Sequence, residues 1–182
     1  MKRRTYLASL ATLTASTGCL GGTAATNNSS SQPMQKKVSV SNISTEGAPK
    51  GLDLNVEVDD ATITESSTAR VSLKYMNTGE NTLTLNINPD APDPVSSVEN
   101  RPGILLLSDA YDPKQTSPGC WKPKQDQFVQ PGVVHNYPLE PGQTATLTYN
   151  VWATPKQDGC IQPDDYQLEL LYGSATLTVA RK

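Results

Sequence analysis

The sequence is poor in the residues that most chemistry needs. It has one histidine, one phenylalanine and two tryptophans in 182 residues. A blue-copper site takes two histidines beside its cysteine, so a single histidine excludes it. Two cysteines beyond the N-terminal segment and one histidine are also too few ligands for zinc. No G-x-S-x-G or comparable nucleophile motif accompanies His135, which leaves a Ser-His-Asp hydrolase without support. His135 is therefore read as a loop residue, and neither an enzyme nor a cofactor is expected. No basic cluster follows the N-terminus. Without Lys2, Arg3 and Arg4, 12 basic residues face 18 acidic ones, a formal charge of −6. Nucleic acid is excluded as a partner, because phosphate contacts need a basic stripe. Acidic pairs occur at Asp59-Asp60, Asp90/Asp93, Asp109/Asp112 and Asp164-Asp165. None has EF-hand spacing, so they read as solvated turn carboxylates and no metal site is assigned. No stretch sustains apolar residues at i, i+3, i+4 and i+7, and almost no helix is expected.

What is present is alternation. Thr144–Ala153 places Ala145, Leu147, Tyr149, Val151 and Ala153 on one face and Thr146, Thr148 and Asn150 on the other. That is the pattern of a half-buried strand. Trp152 falls on the polar face. It either turns inward at a bulge or lies beside the segment bearing Trp121. Further alternation runs through Val38–Val40, Leu52–Val58, Val71–Tyr75, Leu83–Ile87, Tyr166–Tyr172 and Ala175–Val179, and Ile104–Leu107 suits a buried strand. With a weak strand over Phe128–Val134, the count is eight or nine. The expected fold is all-β, an immunoglobulin-like antiparallel sandwich of two sheets spanning residues 36–182. Pro163-Asp-Asp-Tyr166 reads as a tyrosine corner, in which the phenol bonds a nearby backbone group.

The N-terminus is read separately. Residues 1–18 have a basic start, a short apolar stretch and a small-residue end, the form of a signal peptide. Thirteen residues, 6–18, are too few to span a ~30 Å hydrocarbon layer as a helix. Arg3-Arg4-Thr5-Tyr6-Leu7 resembles a twin-arginine export signal. Gly18-Cys19-Leu20 resembles a lipobox, with Ser16 where lipoboxes favour leucine. Together they resemble the leader of haloarchaeal lipoproteins. That resemblance implies lipidation at Cys19 and an extracytoplasmic, membrane-anchored protein with membrane lipid as its first partner. Residues 19–35 are small and polar and read as a flexible tether. Asn27, Asn28 and Asn42 lie in N-x-S/T sequons that permit glycosylation.

An exported chain leaves Cys120 and Cys160 free to pair in an oxidising exterior. The pair would staple residues 109–143, read as a long Pro/Gly-rich loop with one weak strand, to the loop before Tyr166. A loop of this length in a compact domain is usually functional. Trp121, Phe128, His135, Tyr137 and Trp152 form the candidate binding surface. With Tyr111, its aromatic rings offer a platform for a sugar or a peptide.

The stretch from Leu73 to Leu170 resembles the intracellular proteinase inhibitor (BsuPI-like) domain. The resemblance rests on Lys74–Gly79, Trp121, Phe128-Val-Gln130, Leu139-x-Pro141-Gly142, Val151-Trp152 and the turn into Tyr166. It implies a sandwich that inhibits a proteinase through an exposed loop. The export leader and the paired cysteines depart from an intracellular protein. Three functions are carried forward: a non-catalytic surface module binding a protein or glycan, a proteinase inhibitor, and a structural envelope component.

Overall fold

The structure, a computed structural model, describes residues 35–87, 93–94, 102–125, 135–155 and 158–182. The leader with Arg3, Arg4 and Cys19, the tether to residue 34, and Phe128 with the strand expected at Phe128–Val134 lie outside the described residues.

All thirteen described elements are strands. One sheet has the order β12-β13-β1-β3, formed by β1 (Lys36–Ser44), β3 (Thr62–Ile63), β12 (Asp164–Leu170) and β13 (Gly173–Arg181). The other has the order β2-β4-β11-β7-β6, formed by β2 (Leu52–Asp60), β4 (Arg70–Asn77), β6 (Asp93–Pro94), β7 (Ile104–Leu107) and β11 (Thr144–Ala153). Two further pairs stand apart in hydrogen bonding: β5 (Leu83–Ile87) with β10 (His135–Leu139), and β8 (Pro113–Ser117) with β9 (Cys120–Pro123). Every pairing is antiparallel.

Period-two patterning explains the layers. In β2, Leu52, Leu54 and Val56 are buried while Asp53, Asn55 and Glu57 face solvent. In β12, Tyr166, Leu168 and Leu170 are buried between exposed Asp165, Gln167 and Glu169. These rows meet Val71, Leu73, Tyr149, Val151, Leu177 and Val179 in one apolar core shared by both sheets. Leu85, Ile87 and Leu139 add the β5–β10 pair to it. The fold is thus a two-sheet antiparallel β-sandwich.

Eight expected strands are present, and five more appear. Two of the five have only two residues. The other three, β8, β9 and β10, lie where a loop was expected. The reading of residues 109–143 as one long loop is therefore corrected: about half of its described length is strand, and Cys120 opens β9. His135 is likewise a strand residue, opposite Ile87.

The turn into β13 also departs from the sequence reading. Leu171 and Tyr172 form the turn, and Gly173 opens the strand. Gly173 has φ of 148°, and a Cβ there would sit 2.2 Å from the Ser44 carbonyl oxygen. Only glycine fits that approach to β1.

Tyr166 forms the expected corner. It is fully buried, and its hydroxyl donates to the Gln162 carbonyl at 2.9 Å and accepts from the Gln162 amide at 3.1 Å. Asn77 provides a second buried polar anchor. Its Nδ2 donates to the carbonyls of Leu139 (2.7 Å) and Asn81 (2.9 Å), and its Oδ1 accepts from the Gly79 amide at 2.9 Å. One side chain so ties the β4–β5 turn to the approach to β11. Tyr172 is half-buried, and its hydroxyl accepts one bond, from the Asn86 amide at 3.0 Å. Removing the Tyr166 hydroxyl, which sits on a fully buried ring, takes the partner from both the amide and the carbonyl of Gln162. Tyr166→Phe should therefore cost about 1–3 kcal/mol, and Tyr172→Phe less, because water can reach its partner. Equilibrium denaturation of the two variants compares them; equal small losses would reduce Tyr166 to an ordinary strand residue.

Candidate functional site

The site grows from the behaviour of β11. Its first part pairs with β4 and its last part with β7, and the register runs unbroken through both. Asn150 stands at the exchange, opposite Arg70 on β4 and Leu107 on β7. Arg70 in turn stands opposite Asp60 at the end of β2. Directly opposed residues share a sheet face, so Asp60, Arg70, Asn150 and Leu107 form one row across four strands. The row lies on the outer face, away from Val71 and Val151.

The next residue on that face is Trp152, opposite Leu105. No bulge turns it inward. It is nevertheless 2% exposed, because a second small core forms on the outer face from Leu105, Leu107 and Trp152, with Tyr111 and Trp121 packed against it. This is why β7 reads Ile-Leu-Leu-Leu: Ile104 and Leu106 enter the main core, while Leu105 and Leu107 enter the outer one.

The β8–β9 hairpin supplies the cover. Nothing in β8 is buried, so apolar burial does not hold that strand in place. Tertiary ties do. Cys120 is joined to Cys160, with sulfurs 2.08 Å apart and Cα atoms 5.2 Å apart, which fastens the hairpin to the segment before β12. On the other flank, Trp121 Nε1 donates to the Thr64 carbonyl at 2.9 Å and Gln115 Nε2 to the Glu65 carbonyl at 2.7 Å. The 64–67 turn is itself closed, with the Thr64 amide donating to the Ser67 carbonyl at 2.8 Å and the Ser67 amide to Thr64 Oγ1 at 3.0 Å. The Thr68 hydroxyl then donates to the Val151 carbonyl, docking the turn on β11.

Between these pieces lies a cleft of about 440 Å³, within the ~300–1,000 Å³ typical of small-molecule sites. Its floor is the row with Arg70, Asn150 and Trp152. Ser66–Thr68 form one wall; Tyr111, Asp112, Pro113 and Trp121 form the other. Asp60 and Asp109 stand at the polar end. Asp109 accepts from Asn150 Nδ2 and from Arg70, each at 2.8 Å. The Asn150 hydrogen bond, and then the Arg70 charge, hold its carboxyl below the usual aspartate range against some opposing desolvation. Any stability this cluster contributes is present above the ordinary aspartate pKa and is lost as pH falls through the lowered value. It is small, since both side chains are largely solvated.

The structure thus divides the expected binding surface. Trp121 and Trp152 come together at the cleft, joined by Tyr111. Trp152 lies buried beside Trp121, one of the two placements its sequence position allowed, so within the expected binding surface it is a packed ring and not an exposed one. His135 and Tyr137 are exposed on β10, with ring centroids 6.3 Å apart, and do not line the cleft. Asp60, Arg70, Asp109 and Asn150 were absent from the expected surface. Asp60, Arg70 and Asn150 come from three separate strands that only the β-sheet register brings into one row, and Asp109, in the turn after β7, reaches that row through its bonds to Arg70 and Asn150. Among the described residues, no three His, Cys, Asp or Glu side chains form a metal-binding group. No family model matches the chain, and neither does a curated protein or a solved structure.

The disulfide closes a 40-residue separation, worth roughly 4 kcal/mol in chain entropy. Cys120→Ser should lower stability by about 2–5 kcal/mol and make the β8–β9 hairpin the first segment cut in limited proteolysis. A first cut elsewhere, with unchanged stability, would show that the backbone ties to Thr64 and Glu65 suffice.

Proposed function

We propose that this chain is an exported, lipid-anchored binding module. Its β-sandwich presents the Trp121 cleft, and it performs no catalysis. The observation carrying the reading is the cleft itself: aromatic rings and polar groups converge in a space of small-molecule size, under a hairpin held by a disulfide and two side-chain-to-backbone hydrogen bonds. Fixing the hairpin before a ligand arrives lowers the ordering cost of binding. The disulfide accords with an oxidising exterior, as the twin-arginine-like leader and the Gly18-Cys19 junction imply. Membrane lipid at Cys19 would hold the tether, and the tether would carry the sandwich away from the bilayer.

Two measurements test this reading. Cys19→Ser should move the protein from the membrane fraction to the medium, or leave it unprocessed; unchanged membrane association would contradict the anchor. A thermal-shift screen over sugars, amines, short peptides and nucleosides should give at least one stabilising ligand whose effect Trp121→Ala removes and Tyr137→Ala keeps. A screen without any such ligand would contradict the binding module. Inhibition of a proteinase that survives Trp121→Ala would favour the inhibitor reading instead.

A further inference from the structure

We infer that the cleft takes a neutral saccharide, an inference that rests on the binding reading above and names its ligand class. Three features of the lining decide the class.

The first is charge. Each carboxylate at the cleft already has a partner. Asp109 holds Arg70 and Asn150, Asp112 lies 3.3 Å from Lys124 Nζ, and Asp60 Oδ1 accepts from the Thr62 amide at 2.9 Å. A cationic ligand at Asp109 or Asp112 would compete with Arg70 or Lys124, while an anionic one would meet three aspartates. A neutral ligand faces neither penalty.

The second is the balance of hydrogen-bonding groups. Arg70 offers donors only and the aspartates acceptors only, while Asn150 and the hydroxyls of Ser66 and Ser67 offer both. Sugar hydroxyls donate and accept at once, so a polyol can use this mixture where an apolar or singly polar ligand cannot.

The third is aromatic. Trp121 is half-buried, and its Nε1 is already bonded to the Thr64 carbonyl, so its remaining contribution to the cleft is apolar ring surface. Stacking of sugar C–H faces on such a ring is the apolar half of saccharide recognition. Trp152 behaves differently. It is buried at the back of the cleft, and its Nε1 finds no acceptor among the described residues. A buried donor without an acceptor costs free energy and calls for a partner. A sugar hydroxyl would supply the acceptor that the protein does not, once a small shift of the ring opens the closed Nε1 to the cleft.

The test is saturation-transfer NMR on the full chain carrying Cys19→Ser. The probes are the methyl glycosides of glucose, galactose, mannose and N-acetylglucosamine, with tetramethylammonium and inorganic sulfate in parallel. At least one glycoside should receive saturation at its ring C–H protons. Trp121→Ala should weaken it about tenfold or more, and Asp112→Asn and Trp152→Phe each several-fold, while Tyr137→Ala leaves it unchanged. Asp112 is solvated, so Asp112→Asn stays informative if a tryptophan variant fails to fold. Trp121-sensitive binding of tetramethylammonium or sulfate, with none of a glycoside, would overturn the saccharide assignment and leave the binding module standing. Silence from every probe, beside a stabilising ligand of another class in the thermal screen, would do the same. Silence in both would overturn the two readings together.

Discussion

The outer face of β11 and β7 carries the constraint on which the functional end of this molecule depends. Leu105, Leu107 and Trp152 stand on the side of the sheet that elsewhere faces solvent. Left uncovered, they would form an apolar patch at the end of the sandwich. Covering them stabilises by ~25 cal/mol per Å² of apolar surface removed from water, and the cover is the β8–β9 hairpin. Burial in that hairpin lies in β9 and the turn before it, and β8 has none. A covalent tie at Cys120 and two side-chain-to-backbone bonds, from Trp121 and Gln115, hold it there. The cleft is the space left where this cover meets the polar row of Asp60, Arg70 and Asn150.

The two ends of β11 therefore do different work. Near Thr144, the strand is anchored by Asn77, whose amide bonds three backbone groups and so links the β4–β5 turn to Leu139. At the far end, the same strand exchanges β4 for β7 and turns from framework into site. Tyr166 and Cys160 fix the segment that receives the disulfide. Gln162, the corner's partner, lies two residues from Cys160, so a rigid corner and a rigid staple reinforce each other. Rigid attachment of this kind suits a site whose geometry must exist before its ligand arrives.

The sequence makes the framework legible and the cover illegible, for physical reasons. Strands with one face in the main core announce themselves by alternation, as Leu52-x-Leu-x-Val56 and Tyr166-x-Leu-x-Leu170 do. The Tyr166 corner and the Cys120–Cys160 pair were also readable, one from Pro-Asp-Asp-Tyr and the other from an odd cysteine at the lipobox-like junction. Pro113-Lys-Gln-Thr-Ser117 carries no apolar alternation, because nothing in it is buried; its strand exists through tertiary ties that no local pattern encodes. His135-Asn-Tyr-Pro-Leu139 buries only Leu139 and gives an equally weak signal. Trp152 falls on the expected face, and of its two readable placements, an inward bulge or a position beside the Trp121 segment, the structure takes the second. The row of Asp60, Arg70 and Asn150 depends on register across three strands.

The central claim is that the disulfide-held hairpin, and not the sandwich itself, buries Trp152 and shapes the cleft. The most direct measurement is the emission of Trp152 alone, in a Trp121→Phe background, before and after reduction of Cys120–Cys160 under native conditions. The account predicts a red shift and a gain in quenching by acrylamide on reduction, while the amide protection of β12 around Tyr166 persists. Unchanged emission and unchanged quenching on reduction, with the disulfide verified as broken, would contradict it.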